Sequence, residues 1–173
     1  FLFWKKKQLS KGGDQQSFSL LIDCLGGISS SDLNQICINP ERNLHLKQNL
    51  EFLESIWNEH LLDSCPIQYL CGITFWRDLK LKVSDKVLIP RPETELIVDI
   101  VCNLFRKKSE KLLFAELGTG SGAISIALAL AFPFSQGVAT DIDQDALELA
   151  TKNYKNSSKP VSYTHLRAHE TKR

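Results

Sequence analysis

A glycine-rich stretch in the second half of the chain has the residue types of a ligand-binding turn. It reads FAELGTGSGAIS, from Phe114 to Ser125, with apolar residues on either side. Gly118 and Gly120 remove side chains where the backbone must bend and a ligand must come close, and Gly122 lets the following helix pack near the strand. Unpaired N–H groups at the start of that helix attract a phosphate or a carboxylate. The stretch predicts a binding turn, although a tight turn without a ligand has the same pattern.

An acid further along the chain indicates the kind of ligand. Asp141 ends the next predicted strand, where a carboxylate can accept hydrogen bonds from both hydroxyls of a ribose. Read as GxGxxA, ending at Ala123, the turn is compatible with a dinucleotide. Read as ExGxGxG from Glu116, it resembles the first motif of the class I methyltransferases, which use S-adenosylmethionine. An acid at this position sits poorly beside a pyrophosphate but suits the ammonium of a methionine group, so charge favours the methyl donor.

The pattern around the turn is typical of an α/β sheet. A short buried strand is predicted at 112–115, and an apolar helix at 123–132. A second strand at 137–140 leads to Asp141, and Asp143 can cap the helix that follows. Strand, glycine turn, helix, strand, acid and helix make up the opening half of a Rossmann-like sheet.

Upstream, residues 14–64 have the periodicity of helices. A first helix is predicted to stop at Gly26-Gly27, and Ser29 to Ser31 offer caps for a short second one. Asn39-Pro40 is predicted to open a longer helix. Its apolar stripe consists of Leu46, Leu50, Leu53, Ile56, Trp57 and Leu61. Such a stripe is typical of core packing.

After Gly72 the period changes to that of strands. Alternating residues over 79–83 predict a half-buried strand, and 87–89 is predicted to return as its hairpin partner. Pro90 and Pro92 then prevent the strand from continuing.

The composition is that of a globular protein, with 43% hydrophobic and 24% charged residues among 173. The formal net charge of +1 supplies no basic field, which argues against nonspecific nucleic-acid binding. The five cysteines are odd in number and form no CxxC, so we expect reduced thiols, a cytoplasmic location and no zinc site. No apolar run is long enough to span a bilayer.

The stretch VLIPRPETE, from Val87 to Glu95, resembles the signature of the HemK/PrmC family, the protein-(glutamine-N5) methyltransferases that modify peptide chain release factors. Other pieces agree with that family in order and spacing. They are PIQYLCG, the Phe75-Trp76 pair, the 79–83 strand, ELGTGSGAISIALA and ATDIDQDALELA. The resemblance covers residues 14–156.

This resemblance implies a fold and a domain order. The fold would be the α/β, Rossmann-like sheet of a class I S-adenosylmethionine-dependent methyltransferase, truncated here. A small helical domain at 1–72 would dock the release factor, and a β-hairpin linker at 73–92 would follow. Residues 93–160 would be the N-terminal part of the cofactor-binding domain, and 161–173 is predicted to be a non-native tail.

The resemblance also implies roles for individual residues. The residues that would hold S-adenosylmethionine are Glu116, Gly118, Thr119, Gly120, Ser121, Gly122 and Asp141. Arg91, Pro92 and Glu93 would lie near the substrate. The alternative is a rigid linker in which Arg91 and Glu93 form structural ion pairs.

The family reaction transfers a methyl group to the side-chain amide of the glutamine in a GGQ sequence of the release factor. An amide nitrogen is a poor nucleophile, so positioning is expected to supply most of the rate effect. The family's amide-orienting NPPY motif does not occur in this sequence, so no catalytic residue is predicted. The expected partner is a release factor, with no direct nucleic acid, no membrane, no metal and a monomeric state.

Both ends of the chain depart from the family pattern. The chain has no methionine and starts at Phe1, and it ends in VSYTHLRAHETKR instead of an apolar strand. His165 and His169 are four apart, but without HExxH or a third ligand they predict no metal site. We expect a foreign tail that is disordered or lies nonspecifically on the surface. We also expect an open hydrophobic face and strand edge, and therefore an unstable, inactive fragment.

Three other functions fit parts of the pattern. One is a related amino-methyltransferase that acts on another protein or on nucleic acid. Another is an NAD-dependent Rossmann oxidoreductase, which would bind NADH but not S-adenosylhomocysteine. The last is a noncatalytic interaction module, in which residues 14–64 alone would capture a release factor.

Overall fold

A computed structural model describes residues 1–39, 45–105, 112–157 and 164–168. The chain divides into two compact units, Phe1–Gly72 and Ile73–Arg173. No helix in the described ranges is both long enough and apolar enough to cross a membrane.

The first unit is helical. Its helices are α1 (Leu2–Ser10), α2 (Gln15–Leu21), α3 (Ser30–Ile38), α4 (Leu50–Leu62) and α5 (Ile67–Cys71), with a π-helical turn at Ile22–Gly26 after α2. Polar side chains cap the N-termini of α2, α3 and α4. Asp14, Ser29 and Asn49 accept hydrogen bonds from backbone N–H groups in the first turns of these helices. Gly27, with a φ of 72°, ends the π-helical turn, which confirms the predicted stop at Gly26-Gly27.

The core of this unit forms around two aromatic rings. Phe18 and Trp57 are fully buried, and their ring centroids lie 5.4 Å apart in an edge-to-face arrangement. The indole N–H of Trp57 donates to the backbone oxygen of Gln8 at 3.2 Å, which ties α4 to α1. The buried members of the cluster are Phe18, Leu21, Ile22, Ile28, Leu33, Ile36, Leu53, Trp57 and Ile67.

The start of the longer helix differs from the prediction. Helix α4 begins at Leu50, not at Asn39-Pro40, because the side chain of Asn49 accepts from the N–H of Phe52 at 2.8 Å and caps it. Leu46 precedes this helix and still packs against the core. Pro40 lies outside the described residues. Helices α1 and α5 were not predicted from the sequence.

The second unit opens with a hairpin whose pairing differs from the prediction. Strand β1 (Ile73–Trp76) pairs antiparallel with β2 (Leu79–Lys82), whereas 87–89 forms no strand. A turn of two residues separates β1 from β2. Because the loop is so short, little conformational entropy is lost when the two strands pair. Val87 is buried outside any strand. The predicted alternation is confirmed, because Leu81 is buried and Lys80 and Lys82 are exposed.

The rest of the unit is a parallel α/β arrangement. After a 3₁₀ turn at Pro92–Thr94, its elements are α6 (Glu95–Leu104), β3 (Leu113–Leu117), α7 (Ala123–Ala131), β4 (Gln136–Asp141), α8 (Gln144–Asn156) and β5 (Thr164–Ala168). The sheet order is β3-β4-β5, with Leu117 opposite Thr140 and Asp141 opposite Ala168. The predicted order of strand, turn, helix, strand, acid and helix is therefore confirmed.

One face of this sheet carries apolar side chains that no described residue covers. Leu113, Leu117 and Val138 are 68%, 84% and 42% exposed, whereas Ala139 on the other face is fully buried. Alternate residues of a strand point to opposite faces, so only the covered face belongs to the core. The expected open hydrophobic face is present in the described part of the chain.

The end of the chain differs from the expected disordered tail. Residues Thr164–Ala168 form β5, which pairs in parallel with Gly137–Asp141 of β4. The edge of a strand presents unpaired N–H and C=O groups, and any extended backbone can satisfy them without specific side chains. For these five residues the first alternative, a disordered tail, is therefore wrong, whereas pairing through the backbone alone agrees with the second, a tail that lies nonspecifically on the surface. His169 and the other residues after Ala168 lie outside the described part.

Candidate functional site

The glycine-rich turn connects β3 to α7 and has a left-handed backbone at all three glycines. The φ angles of Gly118, Gly120 and Gly122 are 74°, 54° and 82°, values that favour glycine. A Cβ built on Gly118 or Gly120 would meet no atom within 4 Å, whereas one on Gly122 would lie 3.1 Å from the Cβ of Ala150. The first two glycines thus face open space, and the third allows α7 and α8 to approach closely.

An open pocket of about 200 Å³ lies against this turn. Its wall on the turn side comes from Glu116, the turn itself and the start of α7. Its opposite wall comes from Trp76 of the hairpin and from the segment after the hairpin. The lining residues are Trp76, Leu88, Pro90, Arg91, Thr94, Glu116, Gly118, Thr119, Gly120, Ser121, Ala123 and Ile124. The structure therefore brings the two motifs singled out in the sequence to one pocket of the second unit.

Asp141 lies at the end of β4 and contacts the turn directly. Its Oδ2 accepts the N–H of Gly120 at 2.8 Å, and its Oδ1 accepts the N–H of Asp143 at 3.1 Å. Asp141 is not among the lining residues, so its observed contact is with the backbone that forms the pocket wall. The hydrogen bond from Gly120 therefore fixes the backbone of the turn at its bend.

Glu116 caps helix α7 from the neighbouring strand. Its Oε2 accepts the hydroxyl of Thr119 at 2.8 Å, the N–H of Ser125 at 3.1 Å and the hydroxyl of Ser125. A carboxylate at a helix N-terminus satisfies an unpaired N–H and faces the positive end of the helix dipole. Within the described ranges no group donates to Oε1. Glu116 therefore has one oxygen engaged in the fold and one available at the pocket that it lines.

The environment of Glu116 raises the pKa of its carboxyl above the usual value. Burial is the largest cause, because it disfavours the charged form, and the negative charge of Asp141 acts in the same direction. Hydrogen bonds from Ser125 and Thr119 favour the carboxylate and offset part of the shift.

This shift predicts a pH-dependent contribution to stability. Because the folded-state pKa exceeds the unfolded value, the contribution of Glu116 is complete below the unfolded pKa and is lost as the pH rises through the folded pKa. Glu116→Gln removes the titration. We expect the free energy of unfolding of the wild type, relative to this variant, to fall as the pH rises above the ordinary value of 4.5. Urea unfolding at a series of pH values measures the difference.

Ser125→Ala provides the control, because it removes a hydroxyl that stabilises the carboxylate. In that background the fall should begin at the same pH, extend to higher pH and be larger. A difference between wild type and Glu116→Gln that does not change with pH would contradict the assigned environment of Glu116.

The segment 90–93 is only partly at the pocket. Pro90 and Arg91 line it, whereas Pro92 and Glu93 are exposed in the 3₁₀ turn behind it and do not. The backbone oxygen of Arg91 accepts the indole N–H of Trp76 at 2.9 Å, which fixes this wall to the hairpin. Among the described residues, neither Arg91 nor Glu93 has an ion-pair partner, so the structural ion pairs of the alternative reading are not found there.

Two residues important to the pocket were not identified from the sequence. Trp76 lines it and is 2% exposed. Asn153, on α8, hydrogen-bonds both to the end of the hairpin and to the glycine turn. The sequence pattern could have indicated Asn153, because it lies one turn after Ala150 on the apolar face of α8. A polar side chain buried on such a face needs a hydrogen-bond partner.

The described part of the chain contains no group of three or more His, Cys, Asp or Glu side chains that could hold a metal ion. No disulfide joins Cys24, Cys65, Cys71 or Cys102 to one another.

The chain is similar to release factor glutamine methyltransferases from several bacteria. The chain is 43% identical over 156 residues to a release factor glutamine methyltransferase of Prochlorococcus marinus, covering 88% of this chain and 52% of the relative. It is 33% identical over 158 residues to the protein of that name from Streptococcus pneumoniae, covering 91% of this chain and 54% of the relative. The protein of that name from Gloeobacter violaceus is 41% identical over 154 residues. The chain spans about half the length of the curated relatives that it matches. No protein-family model matches it.

Proposed function

We infer the activity of the protein from its family. Over the residues that match, the chain belongs to the HemK/PrmC family of release factor glutamine methyltransferases. We propose that the protein uses S-adenosylmethionine to methylate the side-chain amide of the glutamine in the GGQ sequence of a peptide chain release factor. The parallel β3-α7-β4-α8-β5 order supports a class I methyltransferase fold for the second unit.

The observation that carries the proposal is the open backbone at Gly118 and Gly120 beside a carboxylate. The space that a Cβ would fill at these positions is free of protein atoms, so a ligand can approach the backbone there. Oε1 of Glu116 suits the ammonium of the methionine group. Asp141, which already orders Gly120, would accept hydrogen bonds from the ribose hydroxyls. When bound, S-adenosylmethionine supplies an electrophilic methyl group on a sulfonium.

Thr119, Ser121 and Gly122 have supporting roles in this proposal. Thr119 and Ser121 lie in the turn at the pocket, and the hydroxyl of Thr119 binds Glu116. The N–H of Gly122 donates to the backbone oxygen of Thr119 at 2.9 Å, which closes the turn before the helix begins. These contacts hold the backbone in one conformation, so less entropy is lost when a ligand binds.

On the substrate side, Pro90 and Arg91 line the pocket. We propose that the segment 91–93 lies near the release factor glutamine, with Arg91 the nearest of Arg91, Pro92 and Glu93 to the cofactor pocket. Orientation of the amide carries the rate effect in this mechanism. The NPPY motif that performs it in the family is not in this sequence, so we assign no catalytic residue.

The helical unit Phe1–Gly72 is the proposed docking domain for the release factor, and we propose a monomer in the cytoplasm. Cys65, Cys71 and Cys102 form no disulfide, which supports a reducing compartment.

Calorimetric titration of the chain with S-adenosylhomocysteine and with NADH tests the cofactor assignment. We expect binding of the first and none of the second, whereas binding of NADH alone would overturn the assignment. Incubation with S-adenosylmethionine and an unmodified release factor, followed by mass spectrometry of its GGQ peptide, tests turnover. Methylation of that glutamine would support the proposed activity, whereas cofactor binding without methylation would limit the proposal to the cofactor.

A further inference from the structure

We propose that Asn153 is a positioning residue, which holds the two walls of the pocket at a fixed separation and so sets the affinity for the cofactor. The cofactor part of this inference rests on the proposed function. Its structural part rests on the hydrogen bonds of one buried side chain. Asn153 is 3% exposed, and an amide buried to that degree must have its polar atoms paired.

The side chain of Asn153 makes three hydrogen bonds, all to backbone groups. Its Oδ1 accepts the N–H of Lys82 at 2.7 Å, and its Nδ2 donates to the backbone oxygen of Lys82 at 2.9 Å. The same Nδ2 donates to the backbone oxygen of Ser121 at 2.9 Å. The amide thus pairs with the last residue of β2 on one side and with the glycine turn on the other.

Each of these backbone groups belongs to a segment of the chain that reaches the pocket. Lys82 ends β2, and the chain after it continues to Leu88 and Pro90, which line one wall. Ser121 lines the opposite wall. A single amide therefore joins the segments that carry the two walls.

The turn needs such a restraint because of its own sequence. Ser121 lies between Gly120 and Gly122, both with positive φ, and glycine backbone is the most costly to order. Asp141 holds the N–H of Gly120, and Asn153 holds the carbonyl of the next residue. Together they fix two peptide groups of the turn, on either side of the Gly120–Ser121 peptide, before any ligand binds, which reduces the entropy that binding must offset.

The geometry requires an amide at position 153. A carboxylate would place negative charge against the carbonyls of Lys82 and Ser121 and would lose both donated hydrogen bonds. An apolar side chain would remove these partners and leave the carbonyl of Ser121 in a buried position without its hydrogen bond from residue 153. Glutamine keeps the chemistry but adds a methylene, which displaces the amide from the turn.

The test compares Asn153→Ala with Leu147→Ala in the whole 173-residue chain. Leu147 is buried on the same helix and does not line the pocket, so its truncation destabilises the unit without touching either wall. We measure the melting temperature, the dissociation constant for S-adenosylhomocysteine, and the amide hydrogen exchange of residues 118–122.

We expect Asn153→Ala to weaken binding roughly tenfold and to speed exchange in the turn, because a site with a loosened supporting contact loses its preorganised geometry. We expect Leu147→Ala to lower the melting temperature at least as much while affinity stays within about twofold.

The outcomes separate the two proposals. If the wild type binds S-adenosylhomocysteine and Asn153→Ala affects affinity no more than Leu147→Ala does, the positioning role is wrong. If the wild type does not bind it, the proposed cofactor is wrong, and the exchange data then decide the structural role. Selective loss of protection in residues 118–122 upholds that role, and equal loss in both variants overturns it. Asn153→Gln should recover part of the protection if the amide itself is what the site requires.

Discussion

Replacement of Gly120 by alanine is expected to lower the affinity for S-adenosylhomocysteine on the order of 100-fold, because displacing a ligand from preorganised contacts by about 1 Å has effects of this size. At a φ of 54°, alanine adopts the left-handed conformation at a cost of about 1–2 kcal/mol. Its Cβ would meet no protein atom within 4 Å, so the chain can still fold around it. The new methyl group would instead occupy space beside the backbone that the cofactor must approach. Calorimetric titration measures the loss.

Gly122→Ala is the matched control, because it adds the same methyl group two residues away. There the Cβ would lie 3.1 Å from the Cβ of Ala150 and 3.3 Å from Cδ1 of Ile126. Overpacking of this kind typically costs about 1–3 kcal/mol, and the φ of 82° adds a backbone cost like that at Gly120, so the variant should lose more stability than Gly120→Ala and less affinity while folded. Wild-type affinity in Gly120→Ala would show that the cofactor does not bind at this turn.

Replacement of Asp141 by alanine is expected to weaken binding on the order of 100-fold, since hydrogen bonds to a charged group contribute about 1.5–3 kcal/mol each. The variant loses the proposed acceptor for the ribose hydroxyls. It also loses the hydrogen bond from the N–H of Gly120, which leaves the turn less ordered. Asp141→Asn keeps one oxygen acceptor without the charge, so its affinity should lie between those of the wild type and Asp141→Ala. An S-adenosylhomocysteine analogue without the ribose 2′-hydroxyl should bind the wild type more weakly, but should bind Asp141→Ala about as well as the parent ligand does.

The neighbouring acid provides the control for charge and stability. Asp143 caps α8 by accepting the N–H of Asp145 at 2.8 Å, and removal of such a cap costs about 1 kcal/mol. Asp143→Ala should therefore lower the melting temperature without a large change in affinity. Equal loss of affinity in the Asp141 and Asp143 variants would indicate a general electrostatic effect and contradict the assigned ribose contact.

Short-range features of the fold could be predicted from the sequence. The order of β3, the glycine turn, α7, β4 and α8 was predicted because glycine spacing, periodicity and polar caps act over a few residues. The hairpin was only half predicted. The alternation of β2 is local, but the choice between 73–76 and 87–89 as its partner depends on which pairing also buries Trp76 and Leu81. No local pattern contains that information.

The candidate site shows the same limit. Glu116 was predicted to face a ligand, yet one of its oxygens caps α7 through Ser125, nine residues further along the chain. The five-residue strand β5 was not predicted, because its pairing with β4 depends on backbone groups at a sheet edge and not on its side chains.

The sequence by itself determined that a turn with Gly118, Gly120 and Gly122 follows a strand and that an acid ends the next strand. Those features depend on backbone conformations that glycine alone adopts easily and on the alternation of apolar residues. Only the tertiary structure decided that Asp141 binds the N–H of Gly120 and that Asn153 joins Lys82 to Ser121. Residues 21 to 71 positions apart meet in these contacts, and their meeting depends on how α8, the sheet and the hairpin pack together. The residue types of the binding turn are therefore a local property, while the shape of its pocket is a property of the folded unit.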